Sequence, residues 1–329
     1  MLRTVVDPVV LELVTHGGVA RLWRILIQAL RNSSYDFDLA SSAMPARIRR
    51  YLPYNQRNTL FFPSLLRPSY GPSIQIVHDC IKERYYPGWK AELIRLRRNR
   101  VLQRASLVIA VSHTTHIDIG RYYGDAIYRK TKVIYNPVDF DYINDFRFKD
   151  IEPHDPARPF VAKGYVLYVG TREGCKNFKA CRLLLEQMPE LRLLIVGPKM
   201  TWTDLQIMGA TINRCYFTDL VDDGTLYTYM SNCSFLFFPS LWEGFGYPLV
   251  EAKALGAPVV CLSTPSNYEI GGDAIITFEL DRPSSLRDAV KQAQSSARVA
   301  SIDHRFDLQT TTGRYIQSLN EVQSMMGSR

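Results

Sequence analysis

Two carboxylates, Glu243 and Glu251, bracket a glycine loop in the run Phe238-Pro-Ser-Leu-Trp-Glu243-Gly-Phe-Gly-Tyr-Pro248-Leu-Val-Glu251-Ala. The chemistry they offer is polyol binding, because a carboxylate can accept hydrogen bonds from two vicinal hydroxyls. Gly244, Phe245 and Gly246 form the loop, and its glycines let backbone approach a ligand closely. Pro248 suits the first position of a helix, and Gly256 lies where such a helix ends. A helix opening there aims its free N–H groups and the positive end of its dipole out of the loop, which suits an anion such as a diphosphate. A sugar on one carboxylate and a ribose on the other would use both. The plain reading of the same residues is a Gly-rich turn with two solvated glutamates.

A second run, Tyr168-Val-Gly170-Thr-Arg172-Glu-Gly-Cys-Lys176-Asn177-Phe, follows an apolar strand and places two cations after a glycine. Arg172 and Lys176 could offset the two charges of a diphosphate leaving group; otherwise they are a solvated charged loop. Neither run contains Asp-x-Asp. No divalent metal is therefore expected to bridge the phosphates, and no cofactor is expected beyond the substrate itself. Nearer the N-terminus, Gly17-Gly18 follows a first strand and opens a helix, either to admit a phosphate or acceptor or simply to turn. His78 ends a buried strand, where an imidazole serves a ligand or merely satisfies its neighbours. Asp79 reads as a loop brace.

These residues need a scaffold that points strand ends one way. Apolar β-branched runs recur at Thr4–Val6, Ile74–Val77, Leu107–Val111, Val133–Ile134, Tyr165–Val169, Leu193–Val196, Phe235–Phe238 and Pro258–Leu262. Helical patterns alternate with them at Ala20–Leu30, Trp89–Arg104, Lys179–Met188 and Pro248–Leu255. This alternation predicts a doubly wound α/β fold. The polar, Pro-rich stretch Phe146–Lys163 reads as a linker between domains of residues 1–153 and 154–304. A last amphipathic helix follows over Gln309–Met326.

The 329 residues suit two domains, and 46% hydrophobic with 22% charged residues is ordinary globular composition. The net charge of +8 is uneven: residues 1–150 hold 23 Lys+Arg against 13 Asp+Glu, and the remainder 17 against 19. A basic N-terminal half suits an anionic partner. Lys90–Arg104 reads as a cationic amphipathic helix with Leu93, Ile94, Leu96, Val101 and Leu102, either a solvated face or a contact with an anionic membrane. The six cysteines form no C-x-x-C pair and read as reduced structural thiols. With no apolar signal core and no apolar run of membrane length, the expected location is cytoplasmic, peripheral to the inner face of the membrane at most.

In this context Glu243 and Glu251 resemble the Glu-x7-Glu motif of family 4 retaining glycosyltransferases. The match extends to Gly17-Gly18-Val-Ala-Arg21-Leu, Val77-His78-Asp79, Ala105–Ser112, Val133-Ile-Tyr-Asn136-Pro-Val-Asp139 and the Gly170–Asn177 phosphate segment, in family order from about residue 5 to 280. The resemblance implies the GT-B fold, two Rossmann-like doubly wound domains facing a central cleft. Residues 1–153 would take the acceptor, with 305–329 crossing back to them, and 154–304 the nucleotide sugar. It further implies that Gly17, Gly18, Gly170, Arg172, Lys176 and Gly244–Gly246 hold the diphosphate, that His78 and Glu243 orient the sugar, that Glu251 holds the ribose, and that anomeric configuration is retained. A hexose would pass from a GDP-mannose-like donor, or next a UDP-sugar, to a saccharide or lipid-linked saccharide in surface polysaccharide synthesis. A GT-B epimerase or phosphorylase is the nearest enzymatic alternative. A basic nucleic-acid-binding protein is the alternative outside enzymes, although no nucleic-acid motif is apparent. A nicotinamide enzyme would need Gly-x-Gly-x-x-Gly, which does not occur.

Overall fold

The computed structural model describes residues 3–13, 17–40, 44–86, 88–172 and 174–327. Glu173 of the phosphate segment therefore lies outside the described residues. The chain divides into two compact units, one running to Val138 and resuming at Arg305, the other Asp139–His304.

In the first unit β1 (Arg3–Asp7), β2 (Phe37–Leu39) and β3 (Thr59–Pro63) form a parallel triplet in the order β2-β1-β3. A second triplet, β4 (Ile74–Val77), β5 (Leu107–Ala110) and β6 (Thr131–Val133), runs β4-β5-β6. A bridge between Phe61 and Ser73 joins the two. Strands such as Leu107-Val-Ile-Ala are buried along their whole length, as parallel strands covered by helices on both faces must be. The Gly18–Asn32 helix buries Leu22, Trp23, Leu26, Ile27 and Leu30 at helical spacing, with Trp23 against Phe62 at 4.7 Å between ring centres. Each such side chain contributes about 1.5–3 kcal/mol on burial. The final helix, Leu308–Gly327, packs in this unit too: Tyr315 donates to the Ile134 carbonyl (3.3 Å) and Gln323 to Thr4 Oγ1 (2.7 Å).

The second unit holds one six-stranded parallel sheet of β7 (Val166–Val169), β8 (Leu193–Val196), β9 (Cys215–Thr218), β10 (Leu236–Phe238), β11 (Val259–Leu262) and β12 (Ile276–Phe278). Their order is β12-β11-β10-β7-β8-β9. Strands β9 and β12 are its two edges; β9 is partly exposed along its length and β12 has three residues with Thr277 at the centre, so neither carries a long apolar run. The order reverses between β7 and β10. The connections leaving these two strands diverge, which opens a crevice at their C-terminal ends.

The segment between the domains differs from the expectation. Residues Asp139–Glu152 belong to the second unit, where Tyr142 and Phe146 pack on Tyr227. The stretch read as a linker is anchored as well: Ala157, Phe160 and Val161 are buried, and Asp155 accepts a hydrogen bond from Tyr229 (2.6 Å). Its prolines and charges conceal three apolar anchors too few to form a periodic pattern.

Candidate functional site

The loops leaving β7 and β10 meet at the point where the strand order reverses. They are tied by three bonds. Leu241 N–H donates to the Cys175 carbonyl (2.8 Å), and Asn177 Nδ2 donates to the Pro239 carbonyl (3.2 Å). The third is ionic: Lys176 Nζ donates to Glu243 Oε1 at 2.6 Å. The lysine side chain keeps 26% of its exposure and the glutamate 9%. Two residues from separate runs thus share one spot at the C-terminal edge of the sheet.

Local backbone explains how they arrive. Gly170 leaves β7, and Lys176 ends a short 3-10 turn, Gly174–Lys176. Gly244 is buried in the second loop. Gly246 sits at φ 93, ψ 61, a left-handed conformation that strains any residue with a Cβ, and it caps the Tyr247–Ala254 helix. No side chain caps that helix, so its N-terminal dipole faces the loop. Phe245 is 4% exposed and its ring packs edge-on against Tyr247, so its side chain anchors the loop. Gly256 follows the helix at φ 75, as its C-terminal signal requires.

The solvated-glutamate reading does not hold, since Glu243 is 7% and Glu251 1% exposed. A buried carboxylate is costly unless it is paired or hydrogen-bonded. Glu243 has Lys176, and Glu251 accepts from the Tyr227 hydroxyl (3.3 Å) in the Asp223–Asn232 helix. Arg172 is drawn the other way. Its Nε lies 2.8 Å from Asp204 Oδ2, and its Nη2 donates to the Pro198 and Lys199 carbonyls at 2.6 and 2.7 Å. With 7% of its side chain exposed and its guanidinium beside the rings of Phe178 and Phe217, it braces the loop after β8. To reach a phosphate it would have to surrender those bonds. The sequence motifs do not single out Asp204 or Tyr227. The spacing Thr201-x-x-Asp204, a capping box in the structure, is a usable signal for the first; nothing in the sequence marks Tyr227.

In the first unit His78 follows β4. Burial pulls its pKa down from 6.5 to about 4, against the neighbouring Asp79 and a hydrogen bond to the Ser64 backbone, which raise it. The imidazole is neutral near pH 7. Its Nε2 is shut away from water and has no hydrogen-bond partner among the described residues. The turn beyond it is fixed: the Asp79 carboxylate accepts from Ile81 N–H (3.1 Å), as expected of a brace, and Arg98 donates to the Asp79 carbonyl (3.2 Å). Gly17 has φ 103 and open space where a Cβ would stand, so backbone conformation rather than crowding calls for glycine. Gly18 begins the following helix, and both glycines are exposed.

The helix Trp89–Arg104 has no single apolar face. Val101 and Leu102 are buried, while Trp89 (70%), Leu93 (56%) and Leu96 (44%) face out. Its cations divide as well: Arg98 pairs with Glu83 at 2.5 Å and Arg95 with Glu92, whereas Arg100 and Arg104 are exposed. The chain does contain two Asp-x-Asp triplets, Asp36-Phe-Asp38 and Asp139-Phe-Asp141. Asp38 pairs with Arg3 and Asp139 caps the Phe140–Asn144 helix, so neither lies in the loops at the strand reversal. All six cysteines are thiols outside any disulfide, and burial pushes Cys215, Cys233 and Cys261 up to about 12. Among the described residues no helix is long and apolar enough to cross a membrane. A pocket of about 230 Å³ lined by Lys253, Asp273, Gln292 and Ser301 opens at the N-terminal ends of β11 and β12, the edge opposite Lys176.

Residues 163–296 match the family pattern of Glycosyl transferases group 1, and residues 58–142 that of Glycosyltransferase Family 4. O-antigen chain mannosyltransferase B of Escherichia coli is 28% identical over 58% of this chain and 52% of its own length. A Campylobacter jejuni protein, N-acetylgalactosamine-N,N'-diacetylbacillosaminyl-diphospho-undecaprenol 4-alpha-N-acetylgalactosaminyltransferase, is 27% identical over 50% of this chain and 44% of its own length. The chain thus spans about half the length of the curated relatives it matches. Among solved structures, Anabaena HepE, crystallised with UDP and glucose, aligns over 97% of this chain and 100% of its own at TM-score 0.66 and 17% identity. The sucrose-phosphate synthase of Thermosynechococcus elongatus aligns over 98% of this chain and 100% of its own at TM-score 0.72 and 14% identity. These likenesses agree on the GT-B fold, and the chain carries Glycosyl transferases group 1 and Glycosyltransferase Family 4 domains, the second over about half of the first unit and the first over most of the second.

Proposed function

We propose that this chain transfers a hexose, with retention, from a nucleotide-diphosphate sugar to a saccharide or lipid-linked saccharide. The observation that carries the reading is the Lys176–Glu243 pair at the reversal point between β7 and β10. A cation and a carboxylate fixed 2.6 Å apart there suit a sugar joined to a diphosphate. Lys176 meets the charge that grows on the departing phosphate, and the N-terminal dipole of the Tyr247–Ala254 helix adds to it. Glu243 accepts from the sugar hydroxyls, and Glu251 from the ribose. Lys176 and the helix dipole take the place of a metal, and no cofactor joins the reaction. In the first unit His78 offers a neutral imidazole to a hydroxyl. No carboxylate stands out as a covalent nucleophile, so the acceptor attacks from the side of the leaving group, whose phosphate takes its proton.

A GDP-mannose-like donor is favoured because the E. coli relative is named as a mannosyltransferase, and a UDP-sugar stands next because HepE was solved with UDP and glucose. The Campylobacter relative's name specifies a diphospho-undecaprenol acceptor, which supports a lipid-linked substrate here. Such a substrate sits in a membrane. The exposed Trp89, Leu93 and Leu96 with Arg100 and Arg104 suit contact with an anionic bilayer, from the cytoplasmic side. The assay is transfer from GDP-mannose and from UDP-hexoses by the wild type, Lys176→Ala and Glu243→Ala. A loss of about 100-fold or more in each variant is expected; near-wild-type transfer in both removes the assignment. Binding to vesicles of anionic lipid should fall for Trp89→Ala/Leu93→Ala, and equal binding sinks the membrane contact.

A further inference from the structure

We propose that Tyr227 is a positioning residue for the ribose of the donor, acting through Glu251. The inference rests on the reading of Glu251 as the ribose carboxylate. Tyr227 is 3% exposed and Glu251 1%, and the phenol donates to Glu251 Oε1 at 3.3 Å. The tyrosine ring is itself held by Tyr142 and Phe146, whose ring centres lie 6.0 and 5.7 Å away. Those two side chains belong to the segment that opens the second unit, with Lys149 Nζ 4.2 Å above the Phe146 ring.

A chain of contacts therefore runs from the start of the unit to one carboxylate oxygen. A glutamate side chain has a broad terminal torsion and presents its oxygens in one direction only if something holds one of them. The aromatic cluster fixes the phenol, the phenol fixes Oε1, and the second oxygen keeps a constant direction. A carboxylate held in that way accepts from the 2′-hydroxyl without first losing rotamer freedom, which is the gain of preorganisation. The ligand class that reads this arrangement is a ribonucleoside diphosphate, and the discrimination expected is against the 2′-deoxy form.

The test compares GDP with 2′-deoxy-GDP, and UDP with 2′-deoxy-UDP, on the full chain by calorimetry. Tyr227→Phe keeps the ring and removes only the hydroxyl; circular dichroism and the melting temperature check that the fold is retained. The expected result is that Tyr227→Phe lowers the ribo-to-deoxy preference about five-fold, the worth of one hydrogen bond, and Glu251→Gln lowers it further, with affinity for the deoxy nucleotides unchanged in both. If Glu251→Gln abolishes the preference and Tyr227→Phe leaves it as in the wild type, the role given to Tyr227 is overturned while that of Glu251 stands. If Glu251→Gln leaves the preference intact, the ribose reading fails and this inference fails with it. A structural role alone would weaken all four nucleotides equally, and that outcome also overturns it.

Discussion

Replacing Lys176 by Met should cost more stability than replacing Glu243 by Gln, although both remove one member of the same ion pair. The asymmetry follows from exposure. Glu243 keeps 9% of its side-chain surface, so without Lys176 its charge is left in a largely dry place. Breaking a fully buried pair by removing one partner costs about 3–5 kcal/mol. Some water reaches this one through the lysine, 26% exposed, so about 2–3 kcal/mol is expected. In Glu243→Gln the amide oxygen can still accept from Lys176, and the ammonium can turn to water, so the loss should be about 1 kcal/mol. For a domain of this size each kcal/mol moves Tm by about 2–4 °C. Lys176→Met should then lower Tm by roughly 4–12 °C and Glu243→Gln by roughly 2–4 °C. Calorimetry or urea titration of both variants and the double variant measures this. The double-mutant cycle should give a coupling of about 1 kcal/mol or more. Glu243→Gln costing as much as Lys176→Met, or a coupling below about 0.5 kcal/mol, would refute the argument from burial.

Arg172→Ala should act first on folding, because it leaves Asp204, 5% exposed at its side chain, with only its two Thr201 donors and frees two loop carbonyls; a loss of about 2–3 kcal/mol in urea titration is expected, and a stable variant defective only in ligand binding contradicts it. His78 has a pKa of about 4 in the folded chain against 6.5 in the unfolded one, so between those values the unfolded chain binds the extra proton. Stability should therefore fall as pH drops from about 6.5 to 4, by about 2–3 kcal/mol from this group, and His78→Gln should flatten that part of the profile. A proton titration midpoint for His78 near 6.5 in NMR spectra refutes it. Gly197→Ala would set a Cβ 2.3 Å from the Gly170 carbonyl oxygen where β7 and β8 end, and should destabilise by about 1–3 kcal/mol; an unchanged Tm contradicts that crowding.

The sequence carried the strands that are buried on both faces, because a parallel strand under two layers of helix must be apolar throughout. Leu193-Leu-Ile-Val and Leu107-Val-Ile-Ala declare themselves in that way. It also carried the two loops of the site, since glycines, a helix-opening proline and charges at set intervals are local requirements. It did not declare β2, β3, β9 or β12, which are short, partly exposed or end in proline, nor the anchoring of residues 139–161, which depends on a few aromatics meeting partners far along the chain. Only the tertiary structure decided how the four charged residues divide. Lys176 and Glu243 meet because β7 and β10 are neighbours, 67 residues apart in sequence. Arg172 and Glu251 turn away from that pair, to Asp204 and to Tyr227. Spacing along a chain governs which residues share a loop or a helix face. Which carboxylate a cation finds across two strands depends on sheet order, and a local pattern contains no record of it.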